Sequence, residues 1–250
     1  MHWIEGDLPR ARALADDNVA QRACQGHAHS FGFAFSCAAV LYRHLRDPEH
    51  AAALSAELLA YAQHHRLLLW QAAAAAVLGW AQAVQGDARA LAPIREGLEG
   101  ARQVFRVIEI TFMAFLIDAL LHLGRGAEAL PAIDEALHKA AAHHDTHFVA
   151  ELLRLRGDAL LQLRPSDTAP ALRLYRDALA RSEACGAALF ALRSATRIAR
   201  LLAAQGACGE AAVLLEPALA RVSDLPGNPD LHEARECLAQ CTAAAAAMRP

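Results

Sequence analysis

Lysine is almost missing from this chain. Of its 24 basic residues only Lys139 is lysine; the rest are arginine. A phosphate-binding loop of the Gly-Lys-Ser/Thr type needs a lysine after a glycine, and none follows one. A Schiff-base mechanism could draw only on Lys139, which sits among alanines in a helical stretch. Excess positive charge is also missing. The net charge is −3, so nothing supplies the basic face that tracks nucleic-acid phosphates. The six cysteines, Cys24, Cys37, Cys185, Cys208, Cys237 and Cys241, form no Cys-x-x-Cys and read as reduced, mostly buried small apolar residues. Cys237 and Cys241 share a helix face, which is half a metal site at most. There is no His-Glu-x-x-His and no Gly-x-Ser-x-Gly. Residues 67–84 form the longest apolar run, but it is rich in alanine and marginal in length, so it reads as a buried helix rather than a membrane span. Met1-His-Trp-Ile-Glu5 has no signal-peptide form, and the expected location is cytoplasmic.

What remains is alanine, leucine and arginine, a composition for helices. Between the helical stretches lies a recurring turn: Glu5-Gly6-Asp7, Leu45-Arg46-Asp47, Gln85-Gly86-Asp87, Leu123-Gly124-Arg125, Leu163-Arg164-Pro165 and Gln205-Gly206-Ala207. The middle residues are 40, 40, 38, 40 and 42 apart. The residue opening the next helix keeps the same beat: Ala11, Ala51, Leu91, Ala129, Ala171, Ala211. A fixed period of this size is the mark of stacked helix pairs. Glycine closes one helix in the left-handed conformation, and Asp7, Asp47 and Asp87 cap the next. Asp47-Pro48-Glu49 adds proline at the first helical position. Asp230-Leu-His-Glu233 has the form of a capping box. Pro165-Ser-Asp-Thr168 accounts for two extra residues before Ala171.

The predicted helices are 8–23, 28–45 with 48–64, 67–85 with 88–103, 106–123 with 126–142, 147–163 with 168–184, 187–204 with 208–222, and 230–248. The fold expected is all-α: a right-handed superhelical solenoid of antiparallel, tetratricopeptide-like pairs with a period of about 40 residues. One domain covers 1–250, with five full pairs, a lone helix at each end, and 230–248 as a capping helix. The segment 1–6 is too short to partner the helix at 8–23. An uncapped end exposes apolar surface, so further chain or a partner is expected upstream, and self-association is open to the isolated chain.

Ala150-Glu-Leu-Leu-Arg-Leu-Arg-Gly157-Asp-Ala-Leu-Leu161, Ala178-Leu-Ala-Arg181, Leu192-Arg-Ser-Ala-Thr-Arg-Ile-Ala-Arg200, Gln205-Gly206 and Pro229-Asp-Leu-His-Glu-Ala-Arg235 resemble a known family. It is the C-terminal tetratricopeptide-like region of bacterial multidomain signalling ATPases. In those proteins an adenylate/guanylate cyclase or winged-helix domain precedes an AAA-type or related ATPase and a helical array. The resemblance covers roughly 120–240, and more faintly 28–110, where Gly79-Trp80 stands out. It implies a non-catalytic interaction or regulatory module in signal transduction or transcriptional regulation. Its partner is then a protein, a peptide, or the upstream ATPase domain of the same polypeptide. The family's ATPase, cyclase and DNA-binding motifs lie upstream of such a region, so no catalytic residue, cofactor or metal carries over.

Thirteen histidines raise a metal hypothesis, with His143, His144 and His147 densest and His27/His29 and His64/His65 next. All fall at helix ends, where histidine suits the helix dipole. Binding residues are better sought on the first helix of each pair, which lines the groove in this type of repeat. Counting from the turns gives Arg43, His44, Trp80, Asp118, His122, Glu151, Arg154, Asp158 and Arg200 as a partner-binding groove. Phe33, Ser36, Ala73, Ala76 and Thr196 lie on the same face. Tryptophan and arginine are the usual anchors of interfaces. The alternative readings are a small-molecule sensor using the Trp80 region of that groove, Trp80 packed between repeats, and Glu151, Arg154 and Asp158 as a solvated salt-bridged stripe.

Overall fold

In the computed structural model, residues 2–23, 27–104, 106–142 and 147–247 are described. They are helical, with no strand among them. In order the helices are α1 (His2–Glu5), α2 (Leu8–Ala23), α3 (Ala28–His44), α4 (Pro48–His64), α5 (Leu68–Val84), α6 (Leu91–Val104) after a 3₁₀ turn at Ala88–Ala90, α7 (Arg106–His122), α8 (Gly126–Ala142), α9 (His147–Leu163), α10 (Thr168–Ala184), α11 (Ala188–Ala204), α12 (Cys208–Ala220) and α13 (Pro229–Ala247). The fold is an all-α solenoid of adjacent helix pairs.

Its metric is finer than the period of 40. Helices α3, α4, α5, α7, α8, α9, α10 and α11 are each 17 residues long. Three connecting residues then bring the step to twenty, as from Ala28 to Pro48 to Leu68 to Ala88. The two extra residues expected together near Pro165 are split. One falls between α8 and α9 and one between α9 and α10.

The turns are Schellman caps. At Gly86 the backbone N–H donates to Ala83 (3.0 Å) and that of Asp87 to Gln82 (3.1 Å). The same pair of bonds recurs at Gly6, Arg46, Arg66, Gly124, Gly186 and Gly206. All seven residues have positive φ, and Arg46 (57°) and Arg66 (54°) hold it without being glycine. Asp7, Asp47 and Asp87 cap as expected, accepting from the N–H of Arg10, His50 and Arg89. The capping box at Asp230 does not form. Asn228 caps α13 through Leu231 N–H (3.2 Å), because Asp230 and Glu233 are engaged by arginines of α11.

Where the sequence reading has one domain, the contacts gather the chain into two compact units. Residues 11–143 form one. Within it α3 to α8 pack in succession, and each first helix also meets the next, α3 on α5 and α5 on α7. Phe31 stacks on Phe35 and Tyr61, at 4.0 and 3.9 Å between ring centres. Val19 of α2 packs against that cluster, and Tyr42 donates to Asp16 at 2.6 Å. α5, the apolar run, is an interior helix, and no described helix is long and apolar enough to cross a membrane.

Residues 1–10 and 144–250 form the other unit. Here α9 to α13 pack in succession, with α9 and α13 both against α11. Gly157 lets α9 and α10 close up: a Cβ there would lie 2.4 Å from the Tyr175 ring. α1, four residues that show no period in the sequence, rests on α11.

Candidate functional site

The nine residues expected along the groove sort into two clusters, one in each unit. In the unit of residues 11–143, three successive first helices contribute. Trp80 of α5 donates its indole N–H to Asp118 Oδ2 of α7 at 2.7 Å. Arg43, near the end of α3, places Nη2 3.8 Å from the same oxygen and donates to the Ala114 carbonyl at 2.9 Å. Its guanidinium lies 5.0 Å from the Phe115 ring centre. His122 donates from Nδ1 to the Asp118 carbonyl at 2.9 Å. Trp80 is 2% exposed, and Arg43 and His44 are also buried. Asp118 is half-buried and His122 is exposed. The cluster ties one repeat to the next.

In the other unit, Glu151, Arg154 and Asp158 pair as their spacing predicts, and arginines of α11, Arg200 among them, extend the pairs into a network across helices. Arg154 grips Glu151 with two bonds of 2.9 Å and Asp158 with one of 2.5 Å. Arg193 of α11 bridges Glu151 of α9 (2.9 Å) to Asp230 of α13 (2.8 Å). Arg197 joins Asp158 (3.0 Å) to Glu233 (3.3 Å), and Arg200 reaches Glu233 at 3.2 Å. Tyr175 donates to Asp158 at 2.6 Å. Burial pushes the Asp158 carboxyl up, but Arg154, Arg197 and the Tyr175 hydroxyl outweigh it and hold it below its ordinary range. Burial and the Asp158 charge push the Tyr175 phenol up. The stripe is therefore an interior ion network rather than a solvated surface. Glu151 and Arg154 are buried, Asp158 is half-buried and Arg200 is exposed. Trp80, Arg43, His44, Glu151 and Arg154 thus lie inside the packed helices rather than on an open groove wall. A long polar side chain that faces the next helix has the same sequence position as one that faces a groove.

His143 and His144 fall outside the described residues, as does the side chain of His147. Among the described residues no three His, Cys, Asp or Glu side chains are grouped to hold a metal. His27 caps α3, accepting from Ser30 N–H (3.3 Å). Cys237 and Cys241 are buried thiols. Burial raises both, Cys241 to about 11 with Cys237 and Cys208 adding to it, which keeps them protonated. Lys139 pairs with buried Glu109 at 3.1 Å.

A different surface stands out. Trp70 of α5 lies over Gly32 of α3, where a Cβ would be 2.5 Å from the indole. The indole N–H donates to His29 at 3.4 Å, and Phe33 meets the ring edge-on with centres 6.4 Å apart. Phe33 is 62% exposed and Leu68, two residues before Trp70, 77%. Phe33, Trp70 and His29, with Asn18, Ser30 and Ala34, line a cleft of about 420 Å³. Phe33 is among the expected groove positions. Trp70 is not, and its only signal in sequence is a glycine on the facing helix.

No protein-family model matches the chain. An uncharacterized protein of Rhizobium meliloti (strain 1021) is 24% identical over 200 residues, which cover 79% of this chain and 19% of the relative. The chain thus spans about a fifth of a protein roughly a thousand residues long.

Proposed function

We propose that the chain is a non-catalytic protein–protein interaction and regulatory module of a larger bacterial signal-transduction or transcription-regulating ATPase. Its partner is another protein, or the ATPase domain of the same polypeptide, and the cleft between Phe33 and Trp70 receives an apolar side chain of that partner. The observation that carries this reading is exposed Phe33 set edge-on against half-buried Trp70. The polar groove candidates are largely spent on interior contacts, while Phe33 holds large apolar surface in water against a tryptophan. Singly exposed apolar residues need no explanation, but an aromatic pair around a cleft has the composition of an interface anchor. The match to a fifth of a roughly thousand-residue relative agrees with a module in a long chain. The resemblance to the helical region of signalling ATPases names the class.

A second reading has one observation in its favour. A cleft of about 420 Å³ with Asn18, His29 and Ser30 on its wall is large enough for a small molecule. Calorimetry with planar aromatic compounds separates the two. Saturable binding abolished by Trp70→Ala supports the sensor; a protein photo-crosslinked from position 33, without small-molecule binding, supports the interaction module.

A further inference from the structure

Three thiols meet where α12 packs against α13. Cys208 is the first residue of α12, and Cys237 and Cys241 lie about one turn apart on α13. The inner face of α12 carries Ala211, Leu215 and Ala218, and that of α13 carries Leu231, Ala234, Cys237 and Cys241, all buried. Cys237 and Cys241 therefore belong to the apolar seam, and half-buried Cys208 lies at its edge. The Cys241 thiol hydrogen-bonds with Cys208 across the helix pair and with Cys237 along its own helix. All three are free cysteines. A cysteine that only fills space needs no other thiol beside it. Cys185 is such a case, donating to the Ser182 carbonyl at 3.5 Å.

We propose that Cys208 and Cys241 are a redox-reactive pair, which an oxidant of the peroxide class converts to a disulfide that ties α12 to α13. Exposure orders the steps. Water reaches Cys208, whereas Cys241 is 1% exposed and burial keeps it a thiol. The Cys208 thiolate attacks one peroxide oxygen and the O–O bond breaks. Hydroxide leaves and takes up the Cys208 proton as water, and Cys208 becomes a sulfenic acid. Cys241, already in contact, attacks that sulfur and the S–O bond breaks. Hydroxide leaves with the Cys241 proton as a second water. Two thiols and one peroxide thus give one disulfide and two waters; the sulfurs give up two electrons and the peroxide takes them. An external thiol reverses the change by attacking the Cys208 sulfur and releasing Cys241. This property of the α12–α13 pair goes beyond the interaction-module reading and does not rest on it.

The test treats the folded full chain with hydrogen peroxide, blocks the remaining thiols with iodoacetamide in urea, and digests with trypsin without reduction. Cleavage after Arg200, Arg221 and Arg235 leaves Cys208 in the peptide 201–221 and Cys237 with Cys241 in 236–250. The expected product is these two peptides joined through Cys208 and Cys241, with Cys237 alkylated. It outweighs every pairing with Cys24, Cys37 or Cys185, and dithiothreitol separates it again. Cys241→Ala abolishes the joined peptide and leaves Cys208 as a sulfenic acid that dimedone traps. Should that variant fail to fold, Cys208→Ser, at the half-buried position, abolishes the joined peptide as well. Oxidation of the chain already unfolded in urea loses the preference, because the helix pairing creates it. No joined peptide from the folded chain overturns the proposal. So does a link from Cys208 to Cys237, or the same pattern of links from the unfolded chain.

Discussion

The indole of Trp80 and the carboxylate of Asp118, 38 residues apart, are joined by a 2.7 Å hydrogen bond inside the packed helices. The bond links equivalent faces of α5 and α7 and carries stability rather than recognition. Trp80→Phe keeps most of the buried ring and removes the donor, at a cost of about 1–2 kcal/mol. Trp80→Ala removes the ring as well and costs about 3–5 kcal/mol. Urea unfolding of the two variants checks the order; equal, small losses would place Trp80 outside the core.

Gly157 and Tyr175 make a second such contact. Adding one methyl group drives a Cβ to 2.4 Å from a ring that its own hydroxyl anchors to Asp158. Gly157→Ala is expected to lose about 1–3 kcal/mol by overpacking, although alanine is the better helix former. A gain in thermal midpoint would show that α9 and α10 can part at little cost.

Arg66 closes α4 with φ 54°, a conformation that costs a residue with a Cβ about 1–2 kcal/mol. Its side chain is exposed. Arg66→Gly should raise the unfolding free energy by about 1 kcal/mol, less glycine's extra entropy in the unfolded chain. A fall in the urea midpoint would count against strain at this turn.

The ion network gives a pH dependence of definite sign. Asp158 is held below its ordinary value when folded. Its contribution is therefore complete above the unfolded value of about 3.9 and is lost as pH falls through the lower folded value. Unfolding free energy should drop below about pH 4, and Asp158→Asn should flatten that part of the profile while costing stability at neutral pH. A variant with an unchanged acid limb would show that other carboxylates carry it.

Much of the fold was legible before the structure. Gly6, Gly86, Gly124 and Gly206 mark the turns, and the helix bounds fall within three residues of expectation, because cap chemistry is local. α1 was not legible, since four residues show no period. The candidate site was legible only in part. Arg43, Trp80, Glu151 and Arg154 were found by their place on first helices, but their partners Asp118, Arg193 and Asp230 lie dozens of residues away. Sequence spacing records which face a residue takes, not whether water or another helix meets it. Trp70 was missed because its setting depends on Gly32, across a pair of helices.

The most direct measurement places a photo-crosslinking amino acid at position 33 in the full chain within its native host, with position 213, also exposed, as control. Phe33 and Val213 are 62% and 76% exposed, so neither replacement should disturb folding. The account predicts one protein, or one further domain of the same polypeptide, captured from position 33, absent from position 213, and lost when Trp70→Ala is added. The same adducts from both positions, or none from position 33, would contradict it.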